Sequence, residues 1–172
     1  MSPPATFPGT LSALFQLWGR KRGARAMPSR RDFTVAELQP WLSDLHLVAV
    51  RPEGLRFLVF APGPAERYGA EMTGRTVAEL EPVEMALEVE HSYRAAIETR
   101  APVFSTQSTP GANRRSWSRL ILPLSDDGEH IDRLLVAMWD EANAHAQRNA
   151  AEQSLLAARW LLAEDGSGLA AE

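Results

Sequence analysis

The 172-residue sequence contains no cysteine. That excludes disulfides, thiolate nucleophiles, cysteine-ligated zinc and iron–sulfur clusters. The four histidines, His46, His91, His130 and His145, are scattered and never spaced as a ligating pair, so no metal site is expected. No GxSxG elbow, Walker loop or GxGxxG run is present. With no nucleophile–base pair, no catalytic residue is nominated and the chain is read as a non-enzyme. No apolar run approaches the ~18–20 residues that span a bilayer. Residues 1–9 lack the basic region of a signal peptide, so the expectation is a cytoplasmic protein without a membrane span. Acid is missing from residues 1–31, which carry Arg20, Lys21, Arg22, Arg25, Arg30 and Arg31. The remainder holds 12 basic and 22 acidic residues. So negative a body argues against nucleic-acid binding. The basic stretch is expected to pair with the acidic body rather than with an outside polyanion.

What is present is an ordinary globular composition, 45% hydrophobic and 23% charged. Thr10 opens an expected helix to about Arg22, with Leu11, Leu14, Phe15 and Trp18 on one stripe. Thr34 to Glu37 reads as a capping box. Strands are expected over 45–50 and 55–60 around the turn Arg51-Pro52-Glu53-Gly54. A turn-rich helical stretch follows. Pro82 then starts a longer helix to about Arg100, with Met85, Val89, Tyr93, Ala96 and Ile97 inward. Three more strands are expected over 102–108, 117–124 and 133–140. The first two are joined by a turn at Thr109-Pro110-Gly111-Ala112-Asn113, the last two by one holding Asp126-Asp127-Gly128. A final helix runs from Glu141 to about Ala163. Strands on either side of a helical block argue for an α+β fold.

This order resembles the PAS domain, and the local text resembles bacterial single-domain PAS proteins. The resembling pieces are Leu17-Trp18 with the Arg/Gly run after it, Met27-Pro28-Ser29-Arg30, Glu66-Arg67-Tyr68-Gly69, Thr73-Gly74-Arg75, and Leu122-Pro123-Leu124-Ser125-Asp126-Asp127-Gly128. The likeness covers roughly residues 15–140. After Trp139 a helix stands where many PAS domains are followed by a kinase or cyclase. The resemblance implies a five-stranded antiparallel sheet with a helical crossover on one face, flanked by an N-terminal amphipathic helix and a C-terminal helix. The expected organisation is a disordered tail at 1–9, a helix and basic linker at 10–31, the PAS domain at 32–140, a helix at 141–164 and a flexible tail at 165–172. It also implies a sensory or regulatory role, through a small ligand or a signalling-protein partner. A ligand-free interaction module is the alternative, and a small-molecule enzyme a more distant one.

Both sheet faces read as apolar. Leu134, Val136 and Met138 alternate with Leu135, Ala137 and Trp139, and Leu120, Leu122 and Leu124 with Trp117, Arg119 and Ile121. One face suits the crossover helices. The other needs the N-terminal stripe as cover, from its own chain or a second one. That leads to an expected homodimer, or at least a helix-covered sheet, with Leu11, Leu14, Phe15, Trp18, Leu122, Leu135 and Trp139 as interface. By analogy with PAS strands, Trp117, Arg119, Ile121, Val136 and Met138 face the pocket, where Tyr68 and Tyr93 can add hydroxyls. Arg119 is either a clamp for a ligand carboxylate or phosphate, or half of an internal pair with Glu66, Glu71 or Glu81. No cofactor is identified. Haem is disfavoured because His91 falls opposite the inward stripe of its helix, and cysteinyl flavin chemistry because cysteine is absent. His46 shares a strand face with Val48 and Val50 as a core or strand-end histidine. On the last helix, Ala142, Ala146, Asn149, Gln153, Leu156, Trp160 and Ala163 follow a loose heptad too polar for a firm coiled coil. Leu155, Leu156 and Trp160 either fold back onto the protein or serve a partner.

Overall fold

The computed structural model describes residues 7–108, 116–140 and 150–163. Five strands, β1 (Leu45–Arg51), β2 (Gly54–Val59), β3 (Val103–Ser108), β4 (Ser116–Leu124) and β5 (Arg133–Trp139), form one antiparallel sheet. Their order is β2-β1-β5-β4-β3. The helices are α1 (Gly9–Arg22), α2 (Val35–Leu38), α3 (Pro62–Tyr68), α4 (Val83–Thr99) and α5 (Ala150–Leu162). This is an α+β architecture, as expected. The turn expected at 109–113, the first part of the last helix at 141–149, and residues 1–6 and 164–172 lie outside the described residues.

Two cores, one on each sheet face, follow from strand alternation. The outer core gathers Leu45, Leu47, Leu120, Leu122 and Leu135 under Leu11, Leu14, Trp18 and Trp160. The inner core gathers Val48, Phe57, Ile121, Leu134 and Val136 under Phe60, Val89, Tyr93 and Ala96. A register shift between Leu47 and Val48 turns Val59 to the outer core while Phe57 stays in the inner one.

Local chemistry departs from expectation at three points. Helix α1 starts at Gly9 after Pro8, so Thr10 lies inside it and caps nothing. Phe7, placed by the sequence in a tail, is buried edge-on against Phe104, with ring centroids 4.9 Å apart. On α4 the buried residues are Ala86, Val89, Tyr93 and Ala96, whereas Met85 is exposed. The small Ala86 permits close approach to the sheet and takes the place expected for Met85.

Connections set the site. Gly69 ends α3 with a φ of 88°, the left-handed conformation glycine favours. Gly63 in α3 sits against the turn ending at Asp44. A Cβ there would meet the Asp44 carboxylate and lie 2.7 Å from the Ser43 carbonyl oxygen. The capping box of Thr34 and Glu37 forms as read. The basic N-terminal stretch is partly neutralised within the chain, through Lys21–Glu37 and Arg25–Asp32, both at 2.7 Å. Lys21 holds the Glu37 carboxyl well below the usual carboxylate range, helped by the Thr34 hydrogen bonds.

Candidate functional site

Arg119 sits mid-strand on β4, paired in register with Ser105 of β3 and Met138 of β5. Strand parity aims it at the inner face with Ile121. An arginine there needs charge compensation, since an unpaired buried ion is costly. Its Nη2 donates to Glu88 Oε1 at 2.8 Å and to Ser92 Oγ at 2.9 Å, both on α4. Its Nε donates to Ser105 Oγ at 3.2 Å. The guanidinium lies over the Tyr93 ring, 5.9 Å from its centroid.

The pair is asymmetric. The Arg119 side chain is 2% exposed and that of Glu88 is 45% exposed. Glu88 reaches inward from a solvent-facing helix position, and its turn-neighbour Ser92 completes the clasp. The partner expected among Glu66, Glu71 and Glu81 is therefore Glu88 instead. Spacing points to it only after the event: Glu88 and Ser92 stand four apart on α4, so both reach one spot on the sheet. Glu71 is taken by Arg159 at 2.9 Å and by Thr73, and its carboxyl is held low by those hydrogen bonds against the opposing effect of burial.

Tyr93 is fully buried, and desolvation pushes its hydroxyl up to about 12. It is a neutral wall of the site. His46, on the inner side of β1, accepts the Ala61 N–H at Nδ1 (3.2 Å) and stacks on Phe60 at 4.3 Å. Burial, with the charges of Arg67 and Arg119 adding to it, pushes its pKa down to about 3. His46 is thus a neutral core histidine. His91 is exposed on α4.

The sequence-named site residues separate into two groups. Arg119, Tyr93 and Ile121 meet on the inner face, with Met138 beside Arg119 in register. Trp117 is half-buried further along β4. Tyr68 belongs elsewhere: its hydroxyl accepts the Glu81 N–H at 2.7 Å and its ring stands edge-on to Phe60. It fastens the approach to α4. A groove of about 660 Å³, lined by Ala78, Glu79, Leu80, Glu81, Pro82 and Val83, opens at that approach rather than at Arg119. Among the described residues no cluster suits a metal ion.

Residues 63–146 match a family model described as the PAS fold. The chain carries a PAS domain. The matched stretch begins in α3, and β1 and β2 complete the sheet ahead of it. PAS domains are generally sensory and signalling modules. Similar solved structures include a sensory box sensor histidine kinase from Vibrio cholerae, 21% identical over 62% of this chain and 88% of that one, with a TM-score of 0.45. The PAS domain of Bordetella pertussis BvgS is 17% identical over 59% of this chain and 77% of its own, with a TM-score of 0.43. A Vibrio cholera VqmA–ligand–DNA complex is 17% identical over 80% of this chain, with a TM-score of 0.48, and the match spans 58% of the VqmA chain. No curated protein matches the sequence.

The elements flanking the PAS domain close its outer face. Helix α1 lies across β4, and Trp18 Nε1 donates to the Pro123 carbonyl at 3.0 Å. Leu11, Leu14, Trp18, Leu122 and Leu135 are buried in this one chain, with Phe15 and Trp139 partly so. They form an interface between α1 and its own sheet. Of the two covers the sequence left open, its own chain or a second copy, the structure shows the first: a helix-covered sheet. Helix α5 also folds back. Leu156 and Trp160 are buried, whereas Leu155 and Leu161 are exposed.

Two resembling motifs also meet. The Ser125 N–H donates to the Pro28 carbonyl at 3.0 Å, and the Ser29 hydroxyl bonds the Asp126 carboxylate. Asp126 is further held by Arg133 at 3.0 Å. Asp127 accepts the Glu129 and His130 N–H groups, and its carboxyl is held well below the usual range by them. The acid pair is occupied by turn geometry, as read from its glycine. Arg30, which the sequence reading quoted within a resembling motif without giving it a partner, is buried against Trp160. No local pattern marks it, because its partner lies 130 residues away.

Proposed function

We propose that this protein is a non-enzymatic sensory or regulatory PAS protein of the cytoplasm. It takes a small molecule bearing a carboxylate or phosphate at Arg119, in place of Glu88. One observation carries the reading: a sealed guanidinium is balanced by a carboxylate that remains nearly half in water. An incoming anion can take the fork while Glu88 turns outward, with Ser92 and Ser105 supplying further polar contacts. The signal is then a shift in α4, since only differential binding to two states moves an equilibrium.

A second reading is a ligand-free interaction module. The packing of Phe57, Phe60, Met72 and Tyr93 into the inner core favours it. Native against denaturing mass spectrometry of the purified protein separates the two. Extra mass lost on denaturation supports the sensor and gives the ligand class; bare chains support the module. Titration with small carboxylates and phosphates follows. Glu88→Gln is expected to tighten anion binding and Arg119→Met to abolish it. Binding untouched by Arg119→Met would overturn the assignment of the site.

A further inference from the structure

Helix α4 turns an unusual face to water. Val83 and Leu87, one turn apart, are each 62% exposed, and Met85 is 37% exposed. At 100° per residue Val83 and Leu87 form one apolar ridge, about 120° round the helix from the buried stripe of Ala86, Val89, Tyr93 and Ala96. Glu84 and Glu88 run along one side of that ridge and Glu90 along the other. From Thr76 to Tyr93 the sequence holds five glutamates, Glu79, Glu81, Glu84, Glu88 and Glu90, and neither lysine nor arginine. The groove of about 660 Å³ continues the same surface, because Val83 both lines it and begins the ridge. Its acidic wall is Glu79 and Glu81.

Three of these carboxylates are engaged, Glu79 with the Thr76 N–H at 2.7 Å, Glu90 with Arg94 at 2.7 Å and Glu88 with Arg119 at 2.8 Å. Glu81 and Glu84 are exposed. Exposed apolar side chains rimmed by charge of one sign mark an interaction surface. A ridge at four-residue spacing is the shape that packs against another helix. The uniform acidity selects a basic partner and speeds its encounter.

We infer that the N-terminal half of α4 and the adjoining groove are the docking surface for an amphipathic helix of a partner protein, one with lysines or arginines flanking an apolar stripe. Val83 and Leu87 supply the apolar contact, and Glu81 and Glu84 meet the basic flanks. The apolar area is small, so the complex is a transient one. Glu88 stands on the rim of this surface while holding Arg119, so a docked partner touches the group that neutralises the interior. The inference does not depend on whether Arg119 takes a ligand.

The test is a fluorescent Leu–Lys amphipathic peptide of roughly 18 residues, long enough to be helical. A scrambled peptide of equal composition and a Leu–Glu peptide serve as controls. Anisotropy should show binding of the Leu–Lys helix alone, weakening with salt. Amide shifts should change across residues 78–91. Leu87→Ser and Glu84→Lys, both at exposed positions, should each weaken binding about tenfold. Equal binding of the scrambled peptide, shifts centred elsewhere, or an unchanged affinity in Leu87→Ser would overturn the inference. So would a protein that sediments as a dimer and becomes monomeric on Leu87→Ser, which would give the ridge to a second copy. Anion titration and peptide titration read different residues, so failure of either leaves the other standing.

Discussion

The guanidinium of Arg30 lies over the indole of Trp160, 5.0 Å from the ring centroid, with both side chains sealed from water. Arg30 also donates to the Phe33 carbonyl at 2.9 Å and to the Trp160 carbonyl at 3.4 Å. A segment before the sheet thus fixes the helix after it. Trp160→Ala removes the centre of this contact and is expected to cost about 3–5 kcal/mol where the site cannot collapse. Hydrogen exchange over Ala150–Leu162 should accelerate strongly. Unchanged exchange there would mean that buried Leu156 and the Arg159–Glu71 pair suffice to keep α5 in place.

Glu88→Gln should cost about 1–2 kcal/mol: it leaves the sealed Arg119 guanidinium without its counter-charge, but the amide oxygen still accepts from it and the half-solvated carboxylate is partly screened. Arg119→Ala should cost more, about 2–4 kcal/mol, since it empties a buried space between β4 and α4. Urea unfolding of the two variants gives the comparison directly. Equal losses would show that Glu88 is as deeply coupled as Arg119.

His46 gives a pH dependence of definite sign. Its folded pKa of about 3 lies below its ordinary value of 6.5. Between those values the unfolded chain binds a proton that the folded one refuses. The contribution is therefore fully present above pH 6.5 and falls as pH drops toward 3. The steepest loss from this one group is about 1.4 kcal/mol per pH unit. Protonation would also turn Nδ1 from an acceptor into a donor facing the Ala61 N–H. In His46→Gln the loss between pH 7 and pH 5, measured as the difference from wild type, should be smaller. A parallel pH profile for both proteins would assign the acid sensitivity elsewhere.

Trp18→Phe keeps most of the apolar contact of α1 with the sheet but deletes the donor to Pro123. The expected cost is about 1–2 kcal/mol, including the carbonyl left unpaired. Thermal unfolding measures it, and a cost near zero would show that water replaces the indole N–H.

Sheet and faces were legible because their signals are local. Alternation along 117–124 placed Arg119 with Ile121, the resemblance to PAS strands added Val136 to that face, and the structure agrees. The turn at Asp126-Asp127-Gly128 was legible from its residue types. The Arg119 partner was not, because Glu88 lies toward the edge of the α4 stripe and reaches inward only through a long side chain. Met85 was misplaced for a related reason: hydrophobicity favoured it over Ala86, whereas close packing favoured the smaller residue. The choice between a second copy and the chain's own α1 as cover for the sheet was open by its nature. An amphipathic stripe specifies a complementary surface but not whose surface it is. Arg30 and Trp160 lay beyond any window, being joined only by the finished fold.

The strand order has a consequence for synthesis on the ribosome. β5 is made last of the five strands yet lies at the centre, between β1 and β4. Until it emerges, the hairpin β1–β2 and the pair β3–β4 share no backbone hydrogen bond. Trp18 and its acceptor are 105 residues apart. At about 5–20 residues per second, translation of that interval takes roughly 5–20 s. For that time Leu11, Leu14 and Trp18 are an unsatisfied apolar stripe on a nascent chain. Helix α1, made ahead of the whole sheet, is thus among the last elements to find its native contacts.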